Sequence, residues 1–176
     1  MISNELQKRI LSSIILFPIA IFFIFQGSIY LAFFLSLLFL VTGYEWINMC
    51  KKNYFMKFLG IILLSFSFYS AFFIRDNYGF DFFLWIILIC IFTDIGGYLF
   101  GKVFKGPKLT KISPNKTYAG VIGGFLFAVI SGLSYSKFIN AEFIEIIHME
   151  LFFSILLISL VSQIGDLIIS YFKRKA

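Results

Sequence analysis

The sequence predicts an all-α protein, a polytopic bundle of transmembrane helices that crosses the bilayer about six times. Three observations carry that expectation. Of 176 residues, 60% are hydrophobic and 14% charged, against about 25% charged in a typical soluble domain. The apolar residues run in long unbroken blocks, not in the one-sided stripe of a surface helix. Lys and Arg gather between those blocks on alternate sides. A chain this short has too much surface to hide such an apolar excess in one soluble core, so the bilayer is its solvent.

A spanning helix needs roughly 20 apolar residues, and the blocks give spans near 10–25, 28–44, 58–74, 82–100, 118–135 and 151–172 within a single domain, 1–176. The first is short and carries Pro18. No small-residue cleavage pattern follows Phe25, so it reads as a retained span and not a signal peptide. The blocks lack the alternation of barrel strands, which leaves helices as the way to satisfy the backbone in lipid. Thirteen of the 15 basic residues fall on one side: Lys8 and Arg9, then Lys51, Lys52 and Lys57, then Lys102, Lys105, Lys108, Lys111 and Lys116, then Lys173, Arg174 and Lys175. Only Arg75 and Lys137 fall on the other. The positive-inside rule then places both termini and the polar stretch 101–117 in the cytoplasm. Clusters of this kind make no continuous basic face for nucleic acid. Cys50 and Cys90 form neither a disulfide framework nor a metal-type spacing.

Charges inside spans are costly, about 2.5–3.5 kcal/mol each on insertion scales. Asp94 and Asp166 lie well within the spans, whereas Glu45 sits at a span edge and reads as interfacial. Asp94 opens Asp94-Ile95-Gly96-Gly97-Tyr98-Leu99-Phe100-Gly101, in which Asp94, Gly97, Tyr98 and Gly101 share a helix face and Gly97 and Gly101 form a GxxxG pair suited to close helix approach. Asp166 belongs to a polar face with Ser159, Ser162, Gln163 and Ser170, followed by Lys173 and Arg174. One reading of that face is an interhelical hydrogen-bond seam with Asp166 paired to a lysine. The other is a cation site. Two carboxylates near one basic loop suit a hard divalent ion such as Mg²⁺ holding a polyphosphate.

The loop carries Lys111-Ile112-Ser113-Pro114-Asn115-Lys116-Thr117 ahead of Gly120, Gly123 and Gly124. Ser113, Asn115 and Thr117 offer hydrogen-bonding groups around Lys116, and the N-terminus of the next helix is a natural anion site. A P-loop is excluded, since its glycine–lysine spacing does not occur. Anionic lipid headgroups would explain the lysines but not the Ser-Pro-Asn-Lys-Thr order before a glycine-rich helix.

These motifs, with Gly165-Asp166-Leu167 running into Ser170-Tyr171-Phe172-Lys173-Arg174, resemble the phosphatidate cytidylyltransferases, or CDP-diacylglycerol synthases, from about Ile86 onward. The resemblance implies a CTP-dependent nucleotidyltransferase of phospholipid biosynthesis in the bacterial inner membrane, converting CTP and phosphatidate to CDP-diacylglycerol and diphosphate. It implies Asp94 and Asp166 as Mg²⁺ ligands, with Lys116 beside Ser113, Asn115 and Thr117 on phosphate oxygens. Lys173 and Arg174 would hold phosphatidate or triphosphate, with Lys102 as a weaker candidate. The family signature continues past Lys-Arg to a Pro-x-His-Gly-Gly segment and further acidic residues that these 176 residues do not contain, so a C-terminally truncated member is expected. Two other functions stay in play: a CTP-dependent polyprenol or phytol kinase, and an inactive remnant or accessory membrane subunit. A homodimer is a further expectation, resting on the small-residue faces.

Overall fold

The computed structural model describes residues 4–50, 54–109, 116–139 and 148–175. These form five helices: α1 (Asn4–Gln26), α2 (Ser28–Met49), α3 (Tyr54–Phe104), α4 (Tyr118–Ile139) and α5 (His148–Lys175). The one β-type pairing among the described residues is an isolated bridge between Lys108 and Thr117. Four helices are long and apolar enough to cross a membrane, and Ser13–Gln26 is a shorter apolar helix. Large apolar side chains such as Phe25, Phe66, Ile122, Phe153 and Val161 stay open to the surroundings, as a lipid-facing surface requires. The chain is an all-helical membrane protein.

Helix α3 has 51 residues, which at 1.5 Å per residue is about 75 Å, more than twice a hydrocarbon core of about 30 Å. Its one interior break is Gly79, with φ 85° and ψ 178°, a conformation that L side chains resist. The sequence suggests a loop across 75–81. Helix instead continues through Arg75, Asp76, Asn77 and Tyr78, because no residue before Gly79 breaks it. The chain divides into two compact units, 1–80 and 81–176.

In the first unit, α1 and α2 part at Gly27, whose φ is 67°. Phe23 stacks on Phe34 at 5.0 Å, and Phe39 meets Phe68 edge-on at 5.8 Å. The Trp46 indole N–H donates to the Met56 carbonyl at 3.1 Å. It fits because Gly60 has no Cβ to strike the ring. Arg75 donates from Nε to the Ile24 carbonyl (2.8 Å) and from Nη2 to the Phe25 carbonyl (3.0 Å). The last carbonyls of a helix lack intrahelical partners, so one guanidinium both closes α1 and complements its dipole.

In the second unit, Trp85, Ile89, Ala128, Leu151 and Ile155 form the buried core, and Trp85 Nε1 donates to the Gly132 carbonyl at 3.0 Å. Above that core α3 and α4 meet through glycine. A Cβ on Gly96 would strike the Gly123 carbonyl oxygen, and one on Gly120 would lie 2.7 Å from the Gly97 oxygen. Lipid gives helices no hydrophobic reason to associate, so such backbone approach is what holds them together. The glycine face on which the dimer expectation rests is thus occupied within the chain.

Candidate active site

The site is built where the end of α3, the start of α4 and the last turns of α5 converge in the second unit. Lys105 adopts φ 50°, the left-handed conformation that commonly stops a helix. The strands of chain on either side of 110–115 are tied together: Leu109 N–H donates to the Lys116 carbonyl at 2.8 Å, and Tyr118 N–H to the Pro107 carbonyl at 3.2 Å. These bonds fix Lys116 and Thr117 at the mouth of α4. Thr117 then caps the helix, its Oγ1 accepting from the Gly120 N–H at 3.1 Å. Two of the first N–H groups of α4, those of Tyr118 and Gly120, are therefore already engaged, and the anion site expected there is smaller than a bare helix end would offer.

A cavity of about 400 Å³ opens here, lined by Thr93, Asp94, Gly97, Tyr98, Lys116, Thr117, Gly120, Val121, Gln163 and Asp166. Lys116 and Asp166 form an ion pair at 3.1 Å, with side chains 28% and 55% exposed. Lys116 Nζ also lies 3.4 Å from the Gln163 carbonyl oxygen. Asp94 is exposed to the cavity and within electrostatic reach of both Asp166 and Lys116. The carboxylates lie inside the apolar helices by position, yet both open to the cavity and not to sealed protein.

Of the residues expected from sequence, Asp94, Lys116, Thr117 and Asp166 come together. Lys102 does not line the cavity; its ammonium lies 5.5 Å from the Tyr98 ring centroid and 3.3 Å from the Tyr98 hydroxyl, so it is linked to the rim through Tyr98. Arg174 is exposed near the end of α5 and is not among the cavity residues. Ser113 and Asn115 lie outside the described residues, as does the side chain of Lys173. Of the α5 polar face, Asp166 is paired to a lysine, and Asp94 lines the same cavity. Thr93 and Val121 were not singled out from sequence, and Gln163 was placed only on the polar face. Thr93, a hydroxyl next to Asp94 within an apolar run, is the signal that could have been followed.

Two carboxylates, those of Asp94 and Asp166, line the cavity. Among the described residues no group of three or more His, Cys, Asp or Glu side chains is placed to hold a metal. Mg²⁺ is typically held by one or two carboxylates, with water and substrate phosphates completing its shell, and Asp94 and Asp166 supply that number.

No solved structure gives a match. Among curated proteins, the chain is 31% identical over 188 residues to the phosphatidate cytidylyltransferase of Rickettsia conorii, covering 98% of this chain and 77% of that enzyme. It is 35% identical over 122 residues to that of Brucella suis, covering 66% of this chain and 43% of the relative. The Helicobacter pylori enzyme is 31% identical over 127 residues, 71% of this chain and 46% of the relative. The model of the cytidylyltransferase family matches residues 52–176, a stretch that contains the whole cavity, and the chain belongs to that family.

Proposed function

We propose that this chain catalyses the reaction named for its relatives: CTP and phosphatidate give CDP-diacylglycerol and diphosphate. The observation that carries the reading is the convergence of Asp94, Lys116 and Asp166, from three separate segments, on one cavity in a member of this family. A phosphate oxygen of phosphatidate attacks the α-phosphorus of CTP, the bond to the bridging oxygen breaks, and diphosphate leaves with the electron pair. Phosphoryl chemistry of this kind asks for positioning and charge neutralisation more than for covalent help. Lys116 is placed to exchange Asp166 for a phosphate oxygen, which frees the Asp166 carboxylate at the moment substrate enters. Asp94 and Asp166 would then hold Mg²⁺, whose charge neutralises the polyphosphate. Thr117 keeps the start of α4 in register beside Lys116, and Tyr98 with Lys102 forms the outer rim. Arg174 and Lys173, near the end of α5, would meet the lipid phosphate at the interface.

The proposed topology is six crossings of the bacterial inner membrane with both ends in the cytoplasm. The length of α3 supports two crossings, one on either side of Gly79, and the short apolar helix before Gly27 supports another. The one-sided distribution of Lys and Arg supports the orientation. A second copy, if it binds, would use a face other than Gly97–Gly101; crosslinking of the chain in membranes tests it.

The test is CTP- and phosphatidate-dependent CDP-diacylglycerol formation by membranes carrying this chain. Asp166→Asn is expected to lower turnover at least about 100-fold, the scale of losing a preorganised charge at a transferring phosphoryl group. Unchanged activity in that variant refutes the metal role. Phosphorylation of polyprenol or phytol in place of nucleotidyl transfer would reassign the site to a lipid kinase.

A further inference from the structure

We propose that Thr93 and Ser159 are positioning residues whose buried hydroxyl pair sets the separation of the Asp94 and Asp166 carboxylates across the cavity. The inference rests on the cytidylyltransferase reading and adds to it two residues that touch neither substrate nor metal in that reading. Thr93 is 1% exposed and Ser159 0%, and their hydroxyl oxygens lie 3.0 Å apart, one on α3 and the other on α5. Thr93 Oγ1 is also 2.7 Å from the Ile89 carbonyl oxygen, and Gln163 Nε2 is 3.4 Å from Ser159 Oγ. A carbonyl can only accept, and each hydroxyl has one proton to give. The protons therefore run in one direction: the Gln163 amide donates to Ser159, Ser159 to Thr93, and Thr93 to the Ile89 carbonyl. Both buried hydroxyls then have a donor and an acceptor partner, which favours this direction over the reverse.

The placement of this chain is what gives it a role. Thr93 is the immediate neighbour of Asp94. Ser159 lies on the same helix face as Gln163, one turn on, and Asp166, two turns on. The Gln163 backbone carbonyl is in turn a contact of Lys116. Helix α4 closes on the same point: a Cβ on Gly124 would lie 3.1 Å from the Thr93 carbonyl oxygen and 3.1 Å from Gln163 Nε2. Three helices thus meet at the floor of the cavity, and the buried Thr93–Ser159 bond, with a Cys90–Ser162 side-chain contact one turn away on α3, ties α3 to α5 there and constrains how far apart their carboxylates stand. Serine and threonine in transmembrane helices commonly turn back on their own helix; Thr93 does so and is bonded across the gap as well. Reacting groups misplaced by about 1 Å can lose about 100-fold in rate, so a small slip between α3 and α5 matters to chemistry before it matters to folding.

The test uses the full chain, purified and returned to phosphatidylglycerol–phosphatidylethanolamine vesicles. Thr93→Val keeps the shape and removes the hydroxyl. It is expected to lower kcat about tenfold and raise the Mg²⁺ concentration giving half-maximal rate several-fold, while KM for CTP moves less than twofold. Thr93→Ser restores all three to within about twofold, and Ser159→Ala reproduces Thr93→Val without adding to it in the double variant. A second readout does not depend on activity. Spin labels at Leu99 and Ile168, both exposed, with Cys50 replaced by alanine and Cys90 by serine so that its contact with Ser162 is kept, report the α3–α5 distance. A narrow distribution in the parent and in Thr93→Ser, shifted or broadened in Thr93→Val, is the expected result. Thr93→Val that lowers the yield of folded protein but leaves turnover per folded molecule and the distance unchanged overturns the proposal, as does Thr93→Val that changes nothing. If the parent chain forms no CDP-diacylglycerol, the functional reading fails by itself, and the distance measurement still decides whether the hydroxyl pair sets the spacing.

Discussion

The two units of the chain differ in how far their polar side chains reach. In the first, Ser36, Thr42, Ser65 and Ser67 each donate to a carbonyl one turn back on their own helix, at 2.7–2.8 Å. They ask nothing of a neighbour. Its helices are joined by phenylalanine rings and by two side chains, Trp46 and Arg75, that reach backbone carbonyls. In the second unit Ser131, Ser136 and Ser154 also bond back to their own helices and Trp85 reaches the Gly132 carbonyl, but bonds between side chains of different elements appear as well: Thr93 with Ser159 and Lys116 with Asp166. Glycine joins aromatic rings at the helix contacts, Gly96 and Gly123 bringing two backbones together beside the Phe100–Phe127 pair. Where lipid supplies no driving force for association, self-contained polar groups make a scaffold, and polar groups that need partners make a site. The candidate site lies wholly within residues 81–176.

The sharpest way to break that contrast is to remove charge from the site. Asp166→Asn keeps the size of the side chain and abolishes the Lys116 ion pair, and turnover should fall at least about 100-fold with little change in folded yield, read by CDP-diacylglycerol formation per folded molecule. A matching loss from any neutral substitution in 13–50 would show the first unit to be part of the chemistry. Next in size is Gly96→Ala. The added Cβ would meet the Gly123 carbonyl oxygen, a backbone atom that cannot swing aside, so the helices must separate. Overpacking of this kind costs about 1–3 kcal/mol, seen as a lower thermal midpoint in detergent.

The helical class and its apolar segments were legible because a spanning helix must be predominantly apolar along its whole length, as Phe58–Ile74 is, with Ser65 and Ser67 bonding back to their own helix. The candidates Asp94, Lys116 and Asp166, which line one cavity, were legible for the converse reason, that a charge within or beside such a segment is costly enough to single it out. The continuity of α3 through 75–78 was not, because a short polar stretch reads as a loop although only Gly79 breaks the helix. Thr93 was hidden for another reason. A hydroxyl that can bond its own helix carries no outward sign of a second partner, and Ser159 is 66 residues away. The glycines fall between these cases: GxxxG predicted that Gly97 and Gly101 admit a close neighbour, but not that α4 of the same chain would be that neighbour.

Arg75 sharpens the comparison from the scaffold side. Its two donations to the last carbonyls of α1 come from one planar group, a geometry that lysine cannot reproduce. Arg75→Met should cost about 1.5–3 kcal/mol, the scale of hydrogen bonding by a charged group. The loss should appear in thermal stability while turnover per folded molecule holds within about twofold. A drop in turnover larger than the drop in stability would tie the first unit to catalysis.

The smallest effect is expected from Gly43→Ala on α2, and its sign is the informative part. A Cβ there meets nothing within 4 Å, and Gly43 lies inside a regular helix. Glycine in a helix interior is less favourable than alanine by roughly 0.5–1 kcal/mol because it loses more freedom on folding. The substitution should therefore leave stability unchanged or raise it by up to that amount. Gly96→Ala is the same chemical change and should move stability the other way, since one methyl enters open space and the other enters a backbone contact. Equal destabilisation by both would mean that the Gly43 face is covered by something other than lipid, such as a second copy of the chain, and the first unit would then share the close helix contacts attributed here to the second.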